Sequence, residues 1–152
     1  MRLAESLSSN VRKSMPSLVY DSMVDDMARG AIAFDTDSFK VLLVDATYVP
    51  DKAGHTRRDD VTGEITGVGY TVGGADVTVT VGTDLVLNRT DIGLGGAQWP
   101  TATITAAGAV YYDSRGGVSG EDELVAYIDF SGDVVSVGGL FALEPSTVRI
   151  QN

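Results

Sequence analysis

A single histidine, His55, is the one side chain in the sequence whose ordinary chemistry puts a proton in play near neutral pH. It stands in a polar stretch between Gly54 and Thr56. A catalytic triad would need beside it a carboxylate and a serine on a Gly-x-Ser-x-Gly elbow, and the chain contains no such elbow. His55 therefore reads as a loop histidine. There are no cysteines, which removes thiol nucleophiles, thiolate zinc sites and disulfides. Glycoside hydrolysis needs only two carboxylates, but nothing in the context of the 21 acidic residues selects a pair. Asp35-Thr36-Asp37 spaces two carboxylates as a calcium loop begins, yet the central glycine and terminal glutamate are missing, so an Asx-type turn is expected. Gly67-Val68-Gly69 and Gly93-Leu94-Gly95-Gly96 lack the Lys-Ser/Thr pair and the following helix that cradle a phosphate, and read as turns. Trp99, followed by Pro100, reads as a core plug, with a surface anchor as the alternative. The expectation is a chain that is not an enzyme and takes no cofactor or metal.

The elements that would carry these residues are mostly strands. Residues 1–16 are rich in serine and read as an extended N-terminal arm, with a thin apolar stripe at Leu3, Leu7, Val11 and Met15. Residues 17–29 read as a helix with Ser17 as N-cap, Tyr20, Met23, Val24 and Met27 on one face, and Gly30 as its stop. Phe39 to Val44 is a nearly continuous apolar run, the pattern of a central strand buried on both faces. Residues 49–64 form a polar connection in which Arg57 and Arg58 stand next to Asp59 and Asp60, close enough to bridge them. Short strands are expected at 65–72, 77–81, 85–87, 101–113, 124–130, 134–137, 140–143 and 147–150, with 114–122 as a second polar loop. The whole reads as one domain over 17–152, mainly β, an antiparallel β-sandwich or barrel-like domain with one N-terminal α-helix.

The net charge of -10 argues against a broad nucleic-acid surface, which needs clustered Lys and Arg. No stretch approaches the roughly 20 apolar residues of a membrane helix. No nucleic-acid or membrane partner is therefore expected. Against this acidic background, Arg12 and Lys13 give the arm a basic patch that would suit an acidic neighbouring subunit.

Several runs, in order, resemble a family of small structural proteins encoded by tailed bacteriophages and prophages. They are Phe34 to Val44, Tyr48-Val49-Pro50-Asp51, His55 to Val61, Glu64 to Gly74, Trp99-Pro100, Ala109 to Asp113 and Leu124 to Phe130. The likeness runs from about Gly30 to the C-terminus. Members of that family start closer to the helix, so the resemblance implies that residues 1–16 are an addition. The resemblance implies a virion component and no catalytic residues. An acidic protein is poorly suited to lie beside packaged DNA, which favours the exterior of the capsid. The expected role is a capsid cement or decoration protein, bound to the major capsid protein and forming a homo-oligomer, with a trimer favoured. A tail or head–tail component (tube, tip or fibre base) is the alternative. A host-glycan module using Trp99, Tyr111 and Tyr112 is a further one. The arm and the loops 49–64 and 114–122 are the segments that could reach neighbours, and Arg2, Arg12, Lys13, Arg57, Arg58 and Trp99 are the expected interface residues.

Overall fold

The computed structural model describes residues 7–151 of the chain. Arg2, with the rest of 1–6, lies outside the described residues. The fold is mainly β: two curled sheets form a half-barrel, with one short helix.

The framework is a ribbon of two long antiparallel strands, β7 (Ala97–Asp113) and β8 (Leu124–Leu143). Four further strands complete the large sheet. On one side β3 (Phe39–Val44) pairs with the second half of β7, and β4 (Ala75–Val77) pairs with β3. On the other side β2 (Leu18–Val19) lies antiparallel to the first half of β8, and β1 (Leu7–Val11) lies parallel to its last residues. The small sheet has β6 (Arg89–Leu94) between β5 (Val79–Asp84) and β9 (Ser146–Gln151).

β3 is buried on both faces, as its nearly continuous apolar run, broken only at half-buried Lys40, dictates. Phe39, Val41 and Leu43 point into the main core, where Trp99, Ile104, Ile128 and Phe141 pack with Ile92, Leu94 and Val148 of the small sheet. Leu42 and Val44 point the other way, into a second cluster with Tyr20, Tyr48, Val110, Tyr112, Leu124 and Tyr127. The strand alternation thus places one element between two cores.

Several expected boundaries move. The helix α1 spans Asp21–Ala28, shorter than 17–29, and its N-cap is Tyr20, not Ser17. The sheet takes the preceding residues: Ser17 N–H donates to the Tyr127 carbonyl, and Ser17 Oγ accepts the N–H of Asp129. Residues 7–11 of the expected arm are a sheet strand. Val11 is buried, and Glu144 N–H donates to its carbonyl. Val77 to Val81 is divided at Thr78, where the chain leaves one sheet and enters the other. Residues 65–72 make no strand beyond a bridge from Val68 to Thr103. There Gly69 has φ +83, and a Cβ on it would stand 2.4 Å from the Thr101 carbonyl oxygen. The pieces 124–130, 134–137 and 140–143 are one strand. Its ladder passes from Val134 opposite Ala106 to Asp129 opposite Gly108, so the residues between bulge out, with Ser131 at φ 63. Leu85 to Leu87 is the turn of the β5–β6 hairpin and not a strand.

Candidate functional site

At the end of the ribbon where β7 stops and β8 starts, three loops converge on a cluster of arginines and carboxylates. Asp122 is its centre. It is almost wholly buried, and burying a carboxylate is costly unless it is paired and hydrogen-bonded. Its Oδ2 accepts Arg58 Nε at 2.7 Å, and its Oδ1 accepts the backbone N–H of Arg115 at 2.8 Å. The Arg58 guanidinium also lies 5.1 Å from the centre of the Tyr112 ring, within cation–π range. One carboxylate thereby ties the connection 49–64 to the loop 114–122. Backbone bonds repeat the tie, from Arg58 N–H to the Asp122 carbonyl and from Leu124 N–H to the Thr56 carbonyl.

Arg57 reaches the opposite way. Its Nη1 donates to Asp26 Oδ2 at 2.9 Å and its Nη2 to Asp26 Oδ1 at 3.3 Å, a two-pronged clamp on α1. The arginines therefore do not bridge Asp59 and Asp60 beside them. Asp60 Oδ2 instead accepts the N–H groups of Thr56 and Arg57, which hold its carboxyl below the usual carboxylate range and start a 3₁₀ turn at Arg58–Asp60. Asp59 and Asp60 are the acidic residues of that turn, in which Arg58 N–H donates to the Asp122 carbonyl and Asp60 N–H to the Arg57 carbonyl.

Arg115 organises the third part. It donates to both oxygens of Glu123, at 2.9 and 3.1 Å, and to the Ala31 carbonyl. Its guanidinium stands 3.5 Å from Asp37 and 3.2 Å from Asp113. Asp113 is fully enclosed, and no N–H or O–H of another residue reaches its carboxyl oxygens in hydrogen-bond geometry. Burial, then a hydrogen bond shared with Asp37, push its carboxyl up to about 8, against the smaller opposing pull of Arg115. The same hydrogen bond lowers the carboxyl of Asp37. Two carboxyls that share such a site resist ionising together, and Asp113, the member whose carboxyl is raised, is the one that keeps its proton to higher pH.

This makes a pH signature. Asp113 titrates near the ordinary carboxylate value of about 4 when unfolded and at about 8 when folded. The native state binds the extra proton between those values, so the contribution is complete below about pH 4 and is lost as pH rises toward 8. Asp113→Asn keeps a donor for Asp37 and removes the titration. Plotted against pH from 4 to 8.5, the melting temperature of the wild type is expected to fall relative to the variant's. Parallel curves would show that Asp113 carries no displaced proton.

The expected site residues fall in different places. Arg57 and Arg58 are in the cluster, turned inward onto Asp26 and Asp122 rather than outward as contacts. Arg12 is exposed and Lys13 half-buried, in the link from β1 to β2. Trp99 is 5% exposed and packs between Tyr70 and Phe141, so it is the core plug and not an interface residue. Tyr111 and Tyr112 are buried too, their hydroxyls donating to the carbonyls of Gly95 and Gly73. No aromatic platform for a sugar is formed by these three. His55 Nδ1 accepts the Asp51 N–H and lies 3.0 Å from the Tyr48 hydroxyl, which is 2.7 Å from that of Tyr20. Asp35 to Asp37 is a turn in which Asp37 Oδ2 accepts the Ala33 N–H. Among the described residues, no three His, Asp or Glu side chains are placed to hold a metal ion, and no helix is long and apolar enough to cross a membrane.

Sequence reasoning missed one surface feature. Leu85, Val86 and Leu87 are 83, 90 and 50% exposed at the tip of the β5–β6 hairpin. The tip is ordered: Asp84 Oδ1 accepts the N–H groups of Val86 and Leu87, Asn88 takes φ 51, and Gln151 Nε2 donates to the carbonyls of Leu87 and Asn88. The signal was the turn formers Asp84 and Asn88 on either side of the apolar triplet. The chain matches no protein-family model, and neither a curated protein nor a solved structure matches it significantly.

Proposed function

We propose that this chain is a structural component of a tailed-phage particle, most specifically a capsid cement or decoration protein that binds the major capsid protein from outside. The observation that carries the reading is the ordered set of motifs from Phe34 to Phe130. In the fold these motifs build β3, the clamped connection with Arg57 and Arg58, and the halves of β7 and β8 that meet at Asp122 and Asp113. They are the rigid frame of the domain, which suits a protein whose work is to hold its shape while bearing load. The net charge of -10 supports an exterior position, since phosphate repulsion would act on an interior one. The clamped loops bring little loss of conformational freedom on docking, which favours affinity from a small footprint. Contacts to neighbours then fall to exposed Arg12, its neighbour Lys13 and the hairpin tip rather than to Arg57, Arg58 or Trp99.

Cryo-electron microscopy of particles carrying this protein tests the reading. The expected result is density at regular positions on the outer shell, in a copy number that scales with the major capsid protein. Density confined to the tail, in a few copies, would replace it with a tail role.

A further inference from the structure

The outer edge of β5 is an open, self-complementary strand. In antiparallel pairs alternate residues bond their neighbour, and the residues between turn their N–H and C=O away. Gly95 N–H donates to the Thr78 carbonyl at 2.8 Å, in line with the β5–β6 register. This sets the phase: Thr80, Gly82 and Asp84 face β6, while Val79, Val81 and Thr83 turn their backbone groups outward. Among the described residues, β5 pairs with β6 alone.

Exposed edges are usually blunted by charge, proline, irregularity or brevity. The other edges here have such devices. β4 is three residues long with exposed Asp76. β1 has an irregular register. The start of β9 is taken by Ser14, whose carbonyl accepts the Thr147 N–H, and Arg149 lies further along. β5 has a regular register, no proline, and no charge from Val79 to Thr83. In a protein of net charge -10, that uncharged run is a place where two copies can approach without opposing carboxylates.

We infer that the β5 edge binds the β5 edge of a second copy, antiparallel about a two-fold axis at Val81. Val81 then faces the second copy's Val81, and Val79 faces its Thr83. Every outward-turned residue meets another, giving about six hydrogen bonds and a continuous six-stranded sheet. Asp84 falls opposite Thr78, and the two Asp84 residues stand roughly 20 Å apart, beyond the Debye length at physiological salt. The same register carries the exposed Leu85–Leu87 tip past the end of the second copy's β5, with Leu85 opposite its Val77 and Val86 opposite its Asp76. Head-to-tail pairing of β5 with β9 meets the closed start of β9, so the two-fold contact is preferred. The inference stands apart from the virion reading.

Sedimentation equilibrium of the full chain and of Val81→Pro tests it. The Val81 N–H points away from β6, so proline there removes the central inter-copy bond and spares the ladder inside each copy. The expected result is a wild-type dimer at micromolar concentration and a variant weakened about tenfold or more, with unchanged far-ultraviolet circular dichroism. Should the proline variant fail to fold, Val81→Lys is read instead; it sets two ammonium groups face to face and is expected to give monomer. A monomeric wild type at about 100 µM, a wild-type trimer, or a dimer indifferent to the folded variant would each overturn the proposal.

Discussion

Arg58→Ala is expected to destabilise the domain by about 3 kcal/mol and lower its melting temperature by about 10 °C. The loss is not that of a surface ion pair, which would be worth a fraction of this. Asp122 is almost wholly buried, and its Oδ2 has the 2.7 Å bond from Arg58. Removing the guanidinium leaves that oxygen with a charge it cannot solvate. The figure is set at the low end of the range for broken buried pairs because Asp122 Oδ1 keeps the Arg115 N–H. Stacking on Tyr112 is lost as well. Calorimetry of a cycle made from Arg58→Met, Asp122→Asn and the double variant separates the causes. The double variant is expected to cost less than the sum of the singles, since it leaves no unpaired charge. Additive costs would mean that Arg58 and Asp122 do not act as a pair.

Gly74→Ala is expected to cost more, over about 4 kcal/mol, and to cut soluble yield sharply. Gly74 has φ +83 where the chain turns into β4, and a Cβ there would stand 1.8 Å from the Val41 carbonyl oxygen and 2.7 Å from Leu42 Cα. Both are backbone of β3, the strand between the two cores, so relief requires parting β4 from β3. Gly30→Ala is the control. Its φ is +77, but nothing lies within 4 Å of the added carbon. Only the left-handed backbone penalty of about 1–2 kcal/mol should appear there. Equal melting temperatures for the two variants would show that the close approach at Gly74 is relieved without cost.

Much of the frame was legible because burial is written into period and run length. Phe39 to Val44 has no polar position except Lys40, and only a strand covered on both sides accommodates that. Trp99 in the core followed from the size of its apolar surface. What could not be read were the events that need a distant partner. Ser17 has the chemistry of an N-cap, but the sheet claims it through Tyr127 and Asp129, more than a hundred residues away. Leu85-Val86-Leu87 has the composition of a strand, and only the closure of the hairpin shows it as a tip. Arg57 and Arg58 lie beside Asp59 and Asp60 in sequence, yet their partners are Asp26 and Asp122 because a 3₁₀ turn points the neighbours elsewhere. Local spacing identifies charges able to pair and does not say with whom.

The parallel seat of β1 against β8 has a consequence for how the chain is made. Ser9 pairs with Phe141, Asn10 with Ala142 and its side chain with Glu144, so the first described strand joins the last stretch of the long one. β1 precedes its partner in the chain by more than a hundred residues and has no seat until that partner has been made and placed. Closing so long a loop before any reward is gained slows folding. Docking of β1 is therefore expected to be a late step, following the β7–β8 ribbon that forms its seat, so the earlier of the two partners in sequence is among the last to find its place.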